Sequence, residues 1–226
     1  MKNHPPLFSN IILRFYFNWV TSLRSTVFTA IATVSLAVGL SASLASTSYA
    51  ENQTATFAGG CFWCSESDFE KLDGVISATS GYIGGHLKNP TYKQVSAGKT
   101  GHTEGIQIIF DSSLTSYEIL LEYFWRSIDP IDDGGQFCDR GQQYRSEIFY
   151  HSKEQKLAAE KSRQMLGETA NLGAPIATKI TAASTFYPAE DYHQDYYLKN
   201  PVRYNYYRWG CGRDKRLEQL WGKPQQ

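Results

Sequence analysis

Cys61 and Cys64 bracket Phe62 and Trp63 in the stretch Gly59 to Phe69, GGCFWCSESDF. A CxxC pair can hold a metal, cycle as a dithiol, or contain one activated nucleophile. A structural zinc site needs a second close pair of ligands. Cys138 and Cys211 are far apart in the chain, and no second CxxC or HxxxH accompanies them. A thioredoxin-like dithiol also sits where a strand enters a helix, but its intervening pair is usually smaller or contains proline. For a single nucleophile, the start of a helix is a favourable place. Unpaired N–H groups and the helix dipole there stabilise a thiolate. Either aromatic ring alone would be read as core, but together beside a helix-start cysteine they can wall a pocket for a small apolar group.

The elements that must position this cysteine are readable from period and punctuation. Thr54 to Ala58 alternates into Gly59-Gly60 as a strand entering a turn, and Phe62, Phe69 and Leu72 then recur at helical spacing up to Asp73-Gly74. Val75 to Tyr82 and Ile106 to Phe110 read as strands, with a loop containing Asn89-Pro90 between them. Thr115 and Glu118 form a capping box before the stripe Tyr117, Leu120, Leu121, Phe124 and Ile128. Glu147 to Tyr150 is a short strand, Ser152 and Gln155 cap a helix running to Gly167, and Ile176 to Ala183 is again a strand. The C-terminal third reads as tyrosine-rich loop. Several strands follow one another without helices, so the expected class is α+β. Gly98-Lys99-Thr100 is no phosphate loop, because the position that needs the first glycine is Lys93.

The first fifty residues differ from the rest. They carry Lys2, Arg14 and Arg24 but no acid, then an apolar run from Thr26 to Ala45 and a small-x-Ala site ending at Ala50. That is the pattern of an export signal, to a periplasmic or other extracytoplasmic compartment. A retained membrane anchor is the alternative, since about 20 apolar residues can span a bilayer. Residues 51–226 then form one domain of 176 residues, with 19 basic and 22 acidic side chains and a formal charge of −3. Such a balance excludes a general nucleic-acid binder. In an oxidising compartment the 4 cysteines could also form two structural disulfides.

Five segments occur in a fixed order: GCFWC, SGYIGG (Ser80 to Gly85), NPTYKQVSAGKTGHTEG (Asn89 to Gly105), QFCDRGQQYRS (Gln136 to Ser146) and FYPAEDYHQDY (Phe186 to Tyr196). Together they resemble peptide methionine sulfoxide reductase A, over essentially Thr54 to Gly222. The resemblance implies a two-layer α+β sandwich with a ferredoxin-like core and long coil segments. It implies that Cys61 attacks the sulfur of a methionine-S-sulfoxide, protein-bound or free. Glu104 is then the acid, Tyr92 and Tyr144 hydrogen-bond the sulfoxide oxygen, and Phe62 and Trp63 receive the S-methyl group. Asp139 is expected to act as a support near the catalytic water and Tyr144. Without the resemblance, Glu104 is a surface residue at a strand start, and any one of the 15 tyrosines is structural. His102 is expected in a loop, orienting Glu104. His193, with Glu190 and Asp191, is read as part of a hydrogen-bonded cluster and not as a metal site.

No cofactor is expected, because the cysteine carries the chemistry. Attack leaves a sulfenic acid, which condenses with a second thiol to a disulfide. Cys211 is the expected resolving cysteine, because Gly210 and Gly212 free the tail and two cysteines within one helical turn make a strained bridge. Cys64 is the alternative, and Cys138 is expected near the site without exchanging. Electrons would arrive from thioredoxin or a thioredoxin-like reductant acting on a monomer. The rival enzyme class is a thiol-disulfide oxidoreductase using Cys61 and Cys64.

Overall fold

A computed structural model describes residues 51–223, so the segment read as an export signal or anchor lies outside the described residues. Among these, no helix is long and apolar enough to cross a membrane. In chain order the elements are β1 (Asn52–Gly59), α1 (Phe62–Phe69), β2 (Val75–Ile83), α2 (Tyr92–Ser96), β3 (Thr103–Asp111), α3 (Tyr117–Arg126), β4 (Gly135–Gln136) and β5 (Asp139–Arg140). A 3₁₀ turn (Gln142–Tyr144) then leads to β6 (Ser146–Tyr150), α4 (Lys153–Thr169), β7 (Lys179–Ala182), β8 (Tyr187–Pro188), α5 (Tyr196–Lys199), α6 (Pro201–Cys211) and α7 (Arg213–Trp221).

Six strands form one sheet in the order β7-β6-β1-β3-β2-β8. Its inner four, β6-β1-β3-β2, pair antiparallel throughout. With α1 between β1 and β2 and α3 between β3 and β6, they make a split βαβ arrangement, the ferredoxin-like core. Phe57 and Ile106 from the sheet, Phe62 and Phe69 from α1, Leu120, Leu121 and Phe124 from α3 and Ala159 from α4 belong to one buried cluster. The helices therefore form a single layer over the sheet, as the α+β reading requires. β7 joins parallel to β6 after the α4 crossover, which is the connection a parallel pair needs.

Several local readings shift. α3 is capped by Ser116, whose side chain accepts from the Ile119 N–H, and not by Thr115. Ser152 caps α4 as expected, but Gln155 Oε1 takes the N–H of His151 instead of closing a box on Ser152. The strand expected from Ile176 starts only at Lys179, because the N–H groups of Ala177 and Thr178 are already spent on the Pro130 carbonyl. Tyr92 to Ser96, expected as loop, is a helical turn capped by Thr91 with Gln94. The C-terminal third is not loop. It is three helices, with Pro201 at the first turn of α6 and Gly212 at φ +71° separating α6 from α7.

The turn before Cys61 is set by Gly60. Its φ of +84° is left-handed, and a Cβ there would come within 2.6 Å of Gln136 Cβ. Gln136 cannot yield, because its amide exchanges two 2.8 Å hydrogen bonds with the backbone of Asp129. The buried Arg213 guanidinium donates to the carbonyls of Gly59 and Ser127, tying the end of β1 to α7. Nothing in the sequence marks Arg213 for this role.

Candidate active site

Cys61 is the N-cap of α1, with φ −55° and ψ 119°. It lies outside the first helical turn, and its carbonyl accepts the N–H groups of Cys64 and Ser65. Both cysteines are free and buried. Burial pushes the Cys61 thiol well up, and contact with Cys64 and the negative charges of Glu104 and Asp139 add to the shift. The helix start therefore does not dominate here, and Cys61 rests as a thiol. Cys64 is pulled down by its hydrogen bond to Cys61 against the effect of burial, with help from Arg213 and Arg208.

Glu104, two residues into β3, is buried beside them and accepts the Phe62 N–H at 3.1 Å. Desolvation raises its carboxyl to about 8, although the Phe62 bond acts in the opposite direction. The strand start that would be surface without the resemblance thus lies inside, and the carboxyl holds a proton at neutral pH. Tyr92 and Tyr144 converge on the same place. Burial, then the nearby Glu104 and Cys61, raise Tyr92 to about 12. Tyr144 is raised by the same causes, burial first. Both phenols therefore remain donors.

Phe62 is buried, with its ring centroid 6.4 Å from that of Tyr92 and 5.0 Å from that of His193. Trp63 stacks on Tyr196 at 3.8 Å and 6° and donates its indole N–H to His193 Nδ1 at 3.0 Å. His193 is kept neutral by burial, so it can accept there. Glu190 accepts the Tyr82 hydroxyl and the Tyr92 N–H, which fixes Tyr92 at the head of α2. Glu190 and His193 thus belong to a positioning cluster, as read. His102 does something else: its Nδ1 accepts from Gly85 N–H and its Nε2 donates to the Leu87 carbonyl. It ties down the 85–87 loop and makes no hydrogen bond to Glu104.

Asp139 acts on Tyr144 by its charge, as the expected support near it, and is itself hydrogen-bonded by the hydroxyl of Tyr207. Its carboxyl is raised by burial, against the Tyr207 bond and the charge of Arg213. Cys138, expected near the site without exchanging, is bridged to Cys211. Tyr196, which ends the fifth segment but was given no role, and Tyr207, which lies outside every segment, both reach it from the C-terminal helices. The signal for Tyr207 was the density of aromatic residues between Phe186 and Trp209.

The model of the family described as peptide methionine sulfoxide reductase matches residues 53–225. This chain belongs to that family. It is 52% identical over 173 residues to peptide methionine sulfoxide reductase MsrA of Bacillus licheniformis, covering 76% of this chain and 96% of that one. It is 54% identical over 173 residues to the MsrA/MsrB protein of Vibrio cholerae, where the match spans 76% of this chain but only 46% of the longer protein. Among solved structures, reduced Mxr1 of Saccharomyces cerevisiae superposes with a TM-score of 0.63 at 31% identity, over 67% of this chain and 87% of that chain. Methionine sulfoxide reductase A of Corynebacterium diphtheriae gives 0.61 at 31% identity, over 67% and 76%. The reductase fold and the α+β sandwich of this chain are one architecture.

Proposed function

We propose that this chain reduces methionine-S-sulfoxide, protein-bound or free, to methionine by thiol chemistry at Cys61. The observation that carries the reading is the convergence of four proton-bearing groups of different jobs. A buried thiol faces a carboxylic acid that is protonated at neutral pH and two phenols that remain donors.

Sulfoxide sulfur becomes electrophilic as its oxygen is protonated. Glu104 supplies that proton, while Tyr92 and Tyr144 hold the oxygen with donors that strengthen as charge develops. Phe62 and Trp63 take the S-methyl group, with Trp63 immobilised by Tyr196 and His193. Cys61 attacks, the substrate S–O bond breaks, and the oxygen ends on Cys61 as a sulfenic acid. The substrate sulfur gains two electrons and Cys61 loses two.

The next bond forms to a second thiol, with loss of water. Cys64 is buried one turn away, its N–H bonded to the Cys61 carbonyl at 3.1 Å. Because Cys61 lies outside the helical turn, the strain expected of two helical cysteines does not apply to this pair. Cys211 is in a helix and bridged to Cys138, so it can act only after that bridge opens. We therefore assign Cys64 the first resolving step and Cys211 a later one, with a thioredoxin-like dithiol as the final donor and no cofactor.

Two tests follow from this reading. The oxygen, methyl and main-chain substituents of the substrate sulfur each have one fitting place, so only one epimer is productive. In a dithiothreitol-driven assay on separated epimers, the S form is expected to turn over and the R form is not; comparable rates would remove the basis for the pocket assignment. Export across a membrane, with cleavage after Ala50, is the second proposal. It predicts a mature N-terminus at Glu51 when the protein is isolated from its native host, and an uncleaved chain in the membrane fraction would favour the anchor.

A further inference from the structure

One face of α1 carries Trp63 and then, one and two turns on, the carboxyl groups of Glu66 and Glu70. Each meets one of three consecutive residues at the start of α5. The Asp195 N–H donates to Glu66 Oε1 at 3.2 Å, and the Tyr197 hydroxyl donates to Glu70 Oε2 at 2.8 Å. Between them the Tyr196 ring stacks on Trp63 at 3.8 Å. The middle contact holds the indole assigned to the S-methyl group, and the outer two fix the segment that brings the ring.

Glu66 is the deepest of these groups. It is buried, and its second oxygen accepts the Ser80 hydroxyl of β2 at 3.1 Å. The Ser80 N–H donates to Gln194 Oε1, and its carbonyl accepts from Gln194 Nε2, each at 3.0 Å. Ser80 thus holds Gln194 by its backbone and Glu66 by its side chain, while Glu66 holds the next residue, Asp195. The φ of Asp195 is +54°, a left-handed value that a non-glycine residue keeps only where its surroundings impose it.

We propose that Glu66 is a positioning and specificity-determining residue, which clasps the Asp195–Tyr197 segment to α1 and so sets the S-methyl pocket through Tyr196 and Trp63. It touches no substrate and moves no proton. The proposal rests on the reductase reading and names what fixes the wall of its pocket. A loose indole admits a larger alkyl group. A clasped one penalises an added methylene, by roughly 10–200-fold in an apolar pocket.

Glu66→Ala removes both acceptor oxygens, and Glu66→Gln restores the shape and the hydrogen bonding. The carboxyl groups of Glu66, Glu70 and Asp195 lie within 4.8 Å of one another. Burial holds Glu66 up to about 7, so in a buffer one unit more acid it is uncharged and glutamine copies that form. Tyr197→Phe, at a half-buried position, opens only the Glu70 end and serves if Glu66→Ala does not fold. The first readout needs no sulfoxide: amide hydrogen exchange of the peptide spanning residues 190–199. Exchange should speed up roughly tenfold in Glu66→Ala, from the loss of two buried hydrogen bonds. It should rise less in Tyr197→Phe and stay at the parent rate in Glu66→Gln. The second readout is kcat/KM for free methionine-S-sulfoxide relative to the corresponding S-ethyl sulfoxide, with dithiothreitol as reductant. That ratio should fall roughly tenfold in Glu66→Ala, chiefly through KM, fall less in Tyr197→Phe, and return in Glu66→Gln. Faster exchange with an unchanged ratio, a loss of kcat at constant KM for both substrates, or a glutamine variant no better than alanine would overturn the assignment. A parent chain that reduces neither sulfoxide, with exchange in the expected order, would support the clasp and count against the reductase reading.

Discussion

Replacing Cys61 with serine is expected to abolish sulfoxide reduction, in single turnover as well as in cycling, with any reductant. The reason is chemical and not steric. A serine hydroxyl fits the N-cap at least as well as a thiol, so α1 should form and the protein should fold. An alcohol, however, is a far weaker nucleophile and has no sulfenic acid to form. Cys64→Ser is the informative companion. It should keep one turnover per chain and lose cycling driven by a thioredoxin-like dithiol, because the sulfenic acid then lacks its nearest thiol. Peptide mapping of the parent after one turnover without reductant should find Cys61 bridged to Cys64, with Cys138–Cys211 intact. Residual reduction by Cys61→Ser would move the nucleophile to Cys64.

Replacing Glu104 with glutamine should slow reduction by roughly 10²–10⁴-fold, the range for loss of a general acid. Glutamine keeps the shape, and its carbonyl can still accept the Phe62 N–H, so the change isolates the proton. The sign of the pH dependence follows from the raised carboxyl. Desolvation holds it near 8, so the acid form is present below that pH, and the parent rate should fall as pH rises through it. In Glu104→Gln that alkaline fall should vanish from a rate that is low throughout. Stopped-flow or quenched single-turnover assays across pH 6 to 10 provide the measurement (the upper limit is set by about where free tyrosine ionises). A variant with most of the parent rate would transfer the acid role to Asp139.

The C-terminal third was illegible for a physical reason. α6 buries Tyr204 and sets Tyr207 against the site, yet it also exposes Val202, Tyr206 and Trp209, the last at 77%. With aromatic residues on both faces, and Arg203 and Asn205 mixed with Val202, Tyr206 and Trp209 on the exposed one, the helix shows no clean amphipathic stripe. The glycines at 210 and 212 read as tail flexibility, whereas Gly212 is the left-handed joint between two helices. Where polarity did track burial, the reading held: Leu120, Leu121 and Phe124 face the core of α3 as their spacing requires.

The order of the five segments determined the family by itself, because a family is carried by residue types that short motifs keep intact. The α+β class followed from the succession of strands and helices, since period and turn residues act locally. What only the tertiary structure decided are the contacts between distant segments: Tyr207 on Asp139, Trp63 on Tyr196 and His193, and Cys138 on Cys211. The same holds for the protonation of Glu104 and Cys61, which is set by how many neighbours exclude water. Burial is a sum over the whole fold, and no stretch of sequence contains it.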